Sequence, residues 1–269
     1  MEKRRQALSW QRLISRGISE ISALARSASP PSPGFRILLY HAVGTPIEED
    51  RLGIYTISPV LFREHVETLA GYSGNEPAPL AEGFSREGLR TAVTFDDGYR
   101  DNLHVAAPLL LERGIPFTVF VSTAFVREKD KRYLSPDEAR ELASLPGVSL
   151  GTHGSTHVPL TRCSDAELGR ELLDSRHYLE DLLGKPVNAM SYPHGAVDRR
   201  VRDRVGEAGY ALAACSRFDI NGPDRDPLLL CRTDILRNDT ARVLKQKLHG
   251  DWDWYRWRSR DPSCEKETV

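Results

Sequence analysis

TAVTFDDGYRDNLHVAAPLLLERGIPFTVFVS, residues Thr91–Ser122, reads as one strand–helix–strand unit. Thr91–Asp96 is a short apolar run that suits a buried strand. Asn102–Arg113 supplies a helix. Phe117–Ser122 is a second strand, rich in β-branched and aromatic residues. The same alternation runs outward in both directions. Phe35–His41 (FRILLYH) is another mostly apolar strand candidate. Ser58-Pro59 opens a helix, with serine as N-cap and proline at the first helical position. Ser135–Glu138 (SPDE) and Ser164–Glu167 (SDAE) are capping boxes. The first precedes a strand at Val148–Thr152. The second starts a long helix with Leu168, Leu172, Leu179 and Leu183 on one face, ended by Gly184 and Pro186. Asn188–Tyr192, Ala211–Cys215 and Leu228–Asp234 complete the strands, with a helix at Asp198–Ala208.

Strands alternating with helices predict a parallel sheet. About seven such units, with no phosphate-binding glycine fingerprint, predict a barrel in place of an open doubly wound sheet. The 269 residues suffice for one large α/β domain, and 40% apolar with 28% charged residues exclude disordered and collagen-like classes. A net charge of −1 makes the chain no electrostatic trap for nucleic acid, so no nucleic-acid partner is expected. No apolar run reaches the roughly 18 residues of a spanning helix. Cys163, Cys215, Cys231 and Cys264 form no CxxC pair and read as reduced packing cysteines. The opening Met-Glu-Lys-Arg-Arg is not followed by the apolar stretch of a signal peptide, which predicts a cytoplasmic protein.

In a barrel, chemistry sits at the C-terminal ends of strands, and three polar clusters fall there. Asp96 and Asp97 are adjacent carboxylates at a turn marked by Gly98. They suit a site with a cation, or simply a solvated turn or helix N-cap. His153 and His157 are imidazoles four residues apart, able to meet one ion as on a helical turn. One carboxylate plus two imidazoles is a usual three-ligand set with a position left for water. Ser191-Tyr192-Pro193-His194-Gly195 closes a third strand, and read alone is a strand-ending turn.

Together these clusters resemble the polysaccharide deacetylase family (NodB-homology domain, carbohydrate esterase family 4). TFDDG at Thr94–Gly98 matches its first motif. His153–His157 matches the second, with Gly154 where a hydroxyl residue is usual. The YPHG turn resembles the third, with Ser191 where arginine is usual and His194 where tyrosine is usual. LLYHAVG at Leu38–Gly44 resembles the opening of the poly-N-acetylglucosamine deacetylase branch. The resemblance spans about residues 35–248. It implies a distorted (β/α)7 barrel, and a metal-dependent hydrolase removing acetyl groups from N-acetylated sugars of a polysaccharide or glycan intermediate. It implies Asp97, His153 and His157 as metal ligands, Asp96 as base, and the backbone N–H of His194 as oxyanion donor. Zn²⁺ is the first expectation, with Co²⁺, Mn²⁺ or Ni²⁺ also suited. The motifs that supply a histidine acid are not clearly matched. His41, at the end of the first strand, is the substitute expected; His249 is the only histidine after the third motif. Arg232 is expected to replace the missing arginine by pairing with Asp96. Two other readings stay open: a small-molecule amidase of the same fold, and a glycan-binding protein with impaired catalysis.

The chain divides into an amphipathic helix and Pro-rich linker at 1–34, the barrel at 35–250, and a Trp/Arg-rich tail at 251–269. Trp10, Leu13, Ile14, Ile18, Ile21 and Leu24 form one stripe. Six basic against two acidic residues in 1–28 suit a peripheral contact with an anionic membrane, or the stripe packs on the barrel or the tail. Trp252, Trp254, Tyr255 and Trp257 suit sugar stacking, a lipid headgroup layer or packing between the ends.

Overall fold

The computed structural model describes residues 15–26, 29–47, 50, 52–83, 88–128, 130–258 and 261. Seven parallel strands form a nearly closed barrel: β1 (Gly34–Tyr40), β2 (Leu89–Phe95), β3 (Phe117–Val121), β4 (Val148–Thr152), β5 (Ala189–Ser191), β6 (Leu212–Ala214) and β7 (Arg232–Asp234). The order around the sheet is β7-β1-β2-β3-β4-β5-β6. A parallel bridge between Ala214 and Leu230, just ahead of β7, joins the two edges. The Cys215 N–H to Leu230 carbonyl bond of 2.8 Å extends this seam. β1 to β4 are five to seven residues long and β5 to β7 only three, so one side of the barrel is shallow. Asn75–Pro77 adds a short parallel partner beside the start of β2.

The strand alternation sorts side chains into an outer and an inner layer. Leu38 and Tyr40 of β1, Val93 and Phe95 of β2, and Phe117, Val119 and Val121 of β3 pack outward against the helices. Phe35, Ile37, Ala92, Phe120, Ala214 and Leu230 fill the interior. Gly151 on β4 is required there. A Cβ would lie 2.6 Å from both the Ala189 carbonyl and the Phe120 ring. A second outer cluster lies under helices Asp165–Leu183 and Arg199–Glu207, where Leu168, Leu172, Val201 and Val205 meet Met190 and Tyr192. Burying each such aliphatic side chain contributes about 1.5–3 kcal/mol.

Ser58, Ser135 and Ser164 cap their helices as expected, the last two with both halves of the capping box formed. The expected helix at Asn102–Arg113 differs in kind. It begins as a π-helical turn at Asn102–Ala106 before the α-helix Ala107–Glu112. The turn frees the Asn102 side chain to donate to the carbonyl of His41 at 3.0 Å, and π turns are often found at functional positions.

Among the expected N-terminal stripe, residues 1–14 lie outside the described residues. Helix 15–25 turns Ser15 and Ser19 inward, while Ile18, Ile21 and Leu24 face outward. The described part of the stripe therefore does not pack on the barrel. The tail residues 251–258 do. Arg36, fully buried in β1, pairs with Asp253 at 2.9 Å. Trp252 packs with Phe218 and Val243, and Trp254 donates to Ser19 Oγ at 3.1 Å. No helix among the described residues is long and apolar enough to cross a membrane.

Candidate active site

Register explains why the polar clusters meet. Leu39 on β1 is level with Thr94 on β2 and with Asp234 on β7, and Val121 is level with Thr152. His41, Asp96 and His153 are therefore the first residues past the ends of three strands. Alternation places Asp96 on the same inward side as Ala92 and Thr94. Asp97 would point away, but its backbone takes φ 72° and Gly98 takes φ 77°. Gly98 has no room for a side chain, since a Cβ would sit 2.7 Å from Val121 Cγ1. This turn sends both carboxylates into one cavity of about 370 Å³, lined by His41, Tyr55, Asp96, Asp97, His153, His157, His194 and Asp234 among others.

Asp96 is nearly inaccessible and held from two sides. Arg232, fully buried, makes a bidentate pair with it, both N···O distances 2.7 Å. Its Nε donates to the Cys215 carbonyl at 3.0 Å. Ser191 Oγ donates to Asp96 Oδ1 at 3.0 Å. Burial pulls the Asp96 carboxyl upward, but the charge and hydrogen bonds of Arg232 together with the neighbouring imidazoles outweigh it and hold the group well below the usual carboxylate range. The arginine expected to pair with Asp96 does so, from β7.

Asp97, His153 and His157 bring one ligand atom each to within 4.8 Å of one another. Asp97 Oδ1 lies 3.5 Å from His153 Nε2 and 3.2 Å from His157 Nε2. It is buried and makes no hydrogen bond of normal geometry. His153 Nδ1 faces the Ser191 carbonyl at 3.0 Å. A carbonyl only accepts, so Nδ1 carries the proton and Nε2 presents its lone pair to the cavity. Burial pushes His153 down to about 4, leaving it neutral at pH 7. A lone pair and a carboxylate oxygen facing each other without a proton between them call for a cation, and N, N, O donors suit a divalent ion. The two histidines do not share a helical turn, as HxxxH spacing suggested. They flank an irregular loop, with His157 at φ 61°.

His41 enters the cavity beside these groups, its ring 4.7 Å from that of Tyr55. Its Nδ1 is buried without a hydrogen-bond partner. Two residues after the acidic motif hold its loop: Asn102 as above, and Asp101, which accepts from Val43 N and Thr45 N, both at 2.9 Å. His194 lies at the rim with φ 58°, its ring 4.5 Å from that of His157. His249 is elsewhere. It bonds Asp251 and the Ser29 carbonyl, and its own carbonyl accepts from Ser32 N. That is the opposite end of β1, about 20 Å from the mouth at 3.3 Å per residue.

Two residues of the site, Asp234 in the cavity lining and Ser191 behind it, had no role in the sequence analysis. Asp234 lies two residues past Arg232 on β7, so strand alternation could have found it. Burial raises its carboxyl above the usual range. Ser191 was noted only as a departure from a motif, yet it touches both Asp96 and His153.

Residues 86–213 match the family model described as polysaccharide deacetylase. Over 143 residues the chain is 27% identical to YxkH of Bacillus subtilis strain 168, provisionally named as a polysaccharide deacetylase. The match covers 53% of this chain and 50% of that protein. The chain thus spans about half the length of the curated relative it matches. Among solved structures, Streptococcus pyogenes deacetylase PplD in complex with acetate superposes with a TM-score of 0.71 at 24% identity, covering 81% of this chain and 99% of that one. IcaB from Ammonifex degensii gives 0.68 at 20%, covering 81% and 98%. At these identities the likeness is one of fold, the parallel barrel described above.

Proposed function

We propose, from the premise that this chain belongs to the polysaccharide deacetylase family, that it is a divalent-metal-dependent hydrolase removing acetyl groups from N-acetylated sugars of a glycan. The observation that carries this reading is the pairing of two devices in one cavity. A carboxylate–imidazole–imidazole set lies beside a separate carboxylate neutralised by a buried arginine.

Asp97, His153 and His157 would hold the ion. When bound there, it supplies Lewis acidity, lowering the pKa of a water to around 7 in favourable cases and drawing charge from a carbonyl oxygen. Asp96 accepts the proton of the attacking water. It stays ionised throughout the working range, and Arg232 and Ser191 fix its direction. The backbone N–H of His194 is offered as the donor to the developing oxyanion. His41 gives a proton to the departing amine, since an amide anion is a very poor leaving group. Asp234 lines the same cavity. A cavity of about 370 Å³ is at the small end of ligand pockets, which run to about 1,000 Å³. It suits one sugar ring with its acetyl group.

The test is acetate release from N-acetylglucosamine oligomers by protein loaded in turn with Zn²⁺, Co²⁺, Mn²⁺ and Ni²⁺. Release that stops on chelation and returns with metal supports the reading. No release with any ion, from a folded and metal-loaded protein, rejects it. Turnover of small amides alone would shift the reading to an amidase.

His41 offers a sharper check. His41→Ala is expected to keep its metal and lose about 10²-fold in rate on the amide. An aryl acetate, whose leaving group barely needs a proton, should suffer far less. Equal losses on both substrates would assign His41 to positioning and not to acid catalysis.

A further inference from the structure

The loop that carries the two histidine ligands has five residues, His153-Gly154-Ser155-Thr156-His157. A three-ligand set depends on how firmly that loop holds the second imidazole. His157 sits in a left-handed backbone conformation, φ 61°, that an L-residue does not choose unaided. Something outside the loop must impose it.

One flank is backbone. Thr123 N–H donates to the Gly154 carbonyl at 3.3 Å and Ala124 N–H to the Ser155 carbonyl at 2.9 Å. At the ends of the loop, Ser122 Oγ donates to the His153 carbonyl at 3.0 Å and His194 Nε2 lies 3.1 Å from the His157 carbonyl, while the middle of its other flank is held by one side chain. Glu171, from the second turn of helix Asp165–Leu183, is 8% exposed. Its Oε2 accepts from Ser155 N at 2.7 Å and Thr156 N at 2.9 Å. Its Oε1 accepts from Thr156 Oγ1. Three donors of two consecutive loop residues thus end on one buried carboxylate. Charge-assisted bonds of this kind are roughly twice as strong as neutral ones.

Gly154 is the counterpart. A Cβ at this position would lie 3.0 Å from Glu171 Oε2 and 3.3 Å from Pro193 Cγ. The glycine that departs from the motif's usual hydroxyl residue leaves the space into which the glutamate reaches. No cation other than one at the ligand set is needed for this arrangement, because the loop's own N–H groups satisfy the carboxylate.

We infer that Glu171 is a positioning residue for the metal site. It clamps the 153–157 loop so that His157 meets Asp97 and His153, and Gly154 is the space that lets it do so. The inference rests on the metal-dependent reading above. It concerns a residue that does not touch the ion.

The experiment uses the full chain in four forms: wild type, Glu171→Ala, Glu171→Gln and Leu172→Ala. Leu172 is the next residue of the same helix, and its side chain is buried in the outer core with Leu168, Val201 and Val205. Its truncation therefore destabilises the fold without loosening the ligands. Zn²⁺ affinity is measured by competition with a chelator, and the melting temperature is measured on metal-free protein. Loss of a supporting group around metal ligands typically costs about 10–100-fold in affinity. Glu171→Ala is expected to fall in that range. Glu171→Gln should lose less, since its amide oxygen still accepts. Leu172→Ala should bind Zn²⁺ as wild type does despite a lower melting temperature. If Glu171→Ala proves unfolded, the comparison of Glu171→Gln with Leu172→Ala decides. Zn²⁺ affinity of the Glu171 variants within twofold of wild type overturns the inference. So does a loss no greater than that of Leu172→Ala. A wild-type protein that binds none of the four ions would instead overturn the metal-dependent reading itself.

Discussion

Asp96→Asn is expected to bind metal stoichiometrically and to turn over about 10²–10⁴-fold more slowly, the usual contribution of a general base. Asparagine keeps the shape, and its Oδ1 still accepts from Arg232 and Ser191. It cannot take a proton at any working pH. The substitution also leaves the guanidinium of Arg232 buried without its counter-charge. Breaking a buried pair in this way costs about 3–5 kcal/mol, so rates should be compared well below the variant's melting temperature. The pH dependence of stability gives an independent signature. The folded Asp96 carboxyl titrates below its unfolded value. Its contribution is therefore fully present above the unfolded pKa of roughly 3.9 and is lost as pH falls toward the folded value. That acid-dependent component should vanish in Asp96→Asn, flattening the stability curve below about pH 4. Near-normal acetate release by the folded variant would remove Asp96 from the role of base.

The second large effect belongs to the ligands. His157→Ala should abolish both stoichiometric metal and activity, because two donors do not make the usual three-ligand set. His157 is partly exposed, at 24% of its side-chain area, so its removal should leave the fold nearly intact. His153→Ala should lose metal and activity too, with an added loss of stability. It is buried and bonded to the Ser191 carbonyl, and truncation leaves a cavity and an unpaired acceptor. Elemental analysis of the purified variants decides. Wild-type metal content in either one would show that the ligand set is wrongly assigned.

The barrel was legible because its strands are apolar runs punctuated by capping boxes, signals that act over a few residues. Position at strand ends and the motif resemblance made Asp96, His153 and Arg232 legible as well, and strand alternation is what turns them inward. What alternation cannot announce is where it breaks. The left-handed turn at Asp97 and the irregular loop before His157 are imposed by tertiary partners, Val121 under Gly98 and Glu171 under Gly154. Nothing in the local sequence sets Glu171 apart from the other polar residues of its helix. The N-terminal stripe is a related case. An apolar stripe says that a face seeks cover, but not that the barrel provides it, and here Ser15 and Ser19 take the inner side.

Among the described residues, the non-glycine positions with positive φ are Asp97, His157 and His194. All three line the cavity. A left-handed backbone costs an L-residue roughly 1–2 kcal/mol, while a whole domain is stable by only about 5–15 kcal/mol. Selection for thermal robustness and selection for chemistry therefore pull on the same three positions in opposite directions. Drift without selection for activity would be drawn to glycine at each, yielding a sturdier and inert barrel. A thermostabilising redesign that scores the fold alone would make the same exchange, so those three positions are the ones to hold fixed.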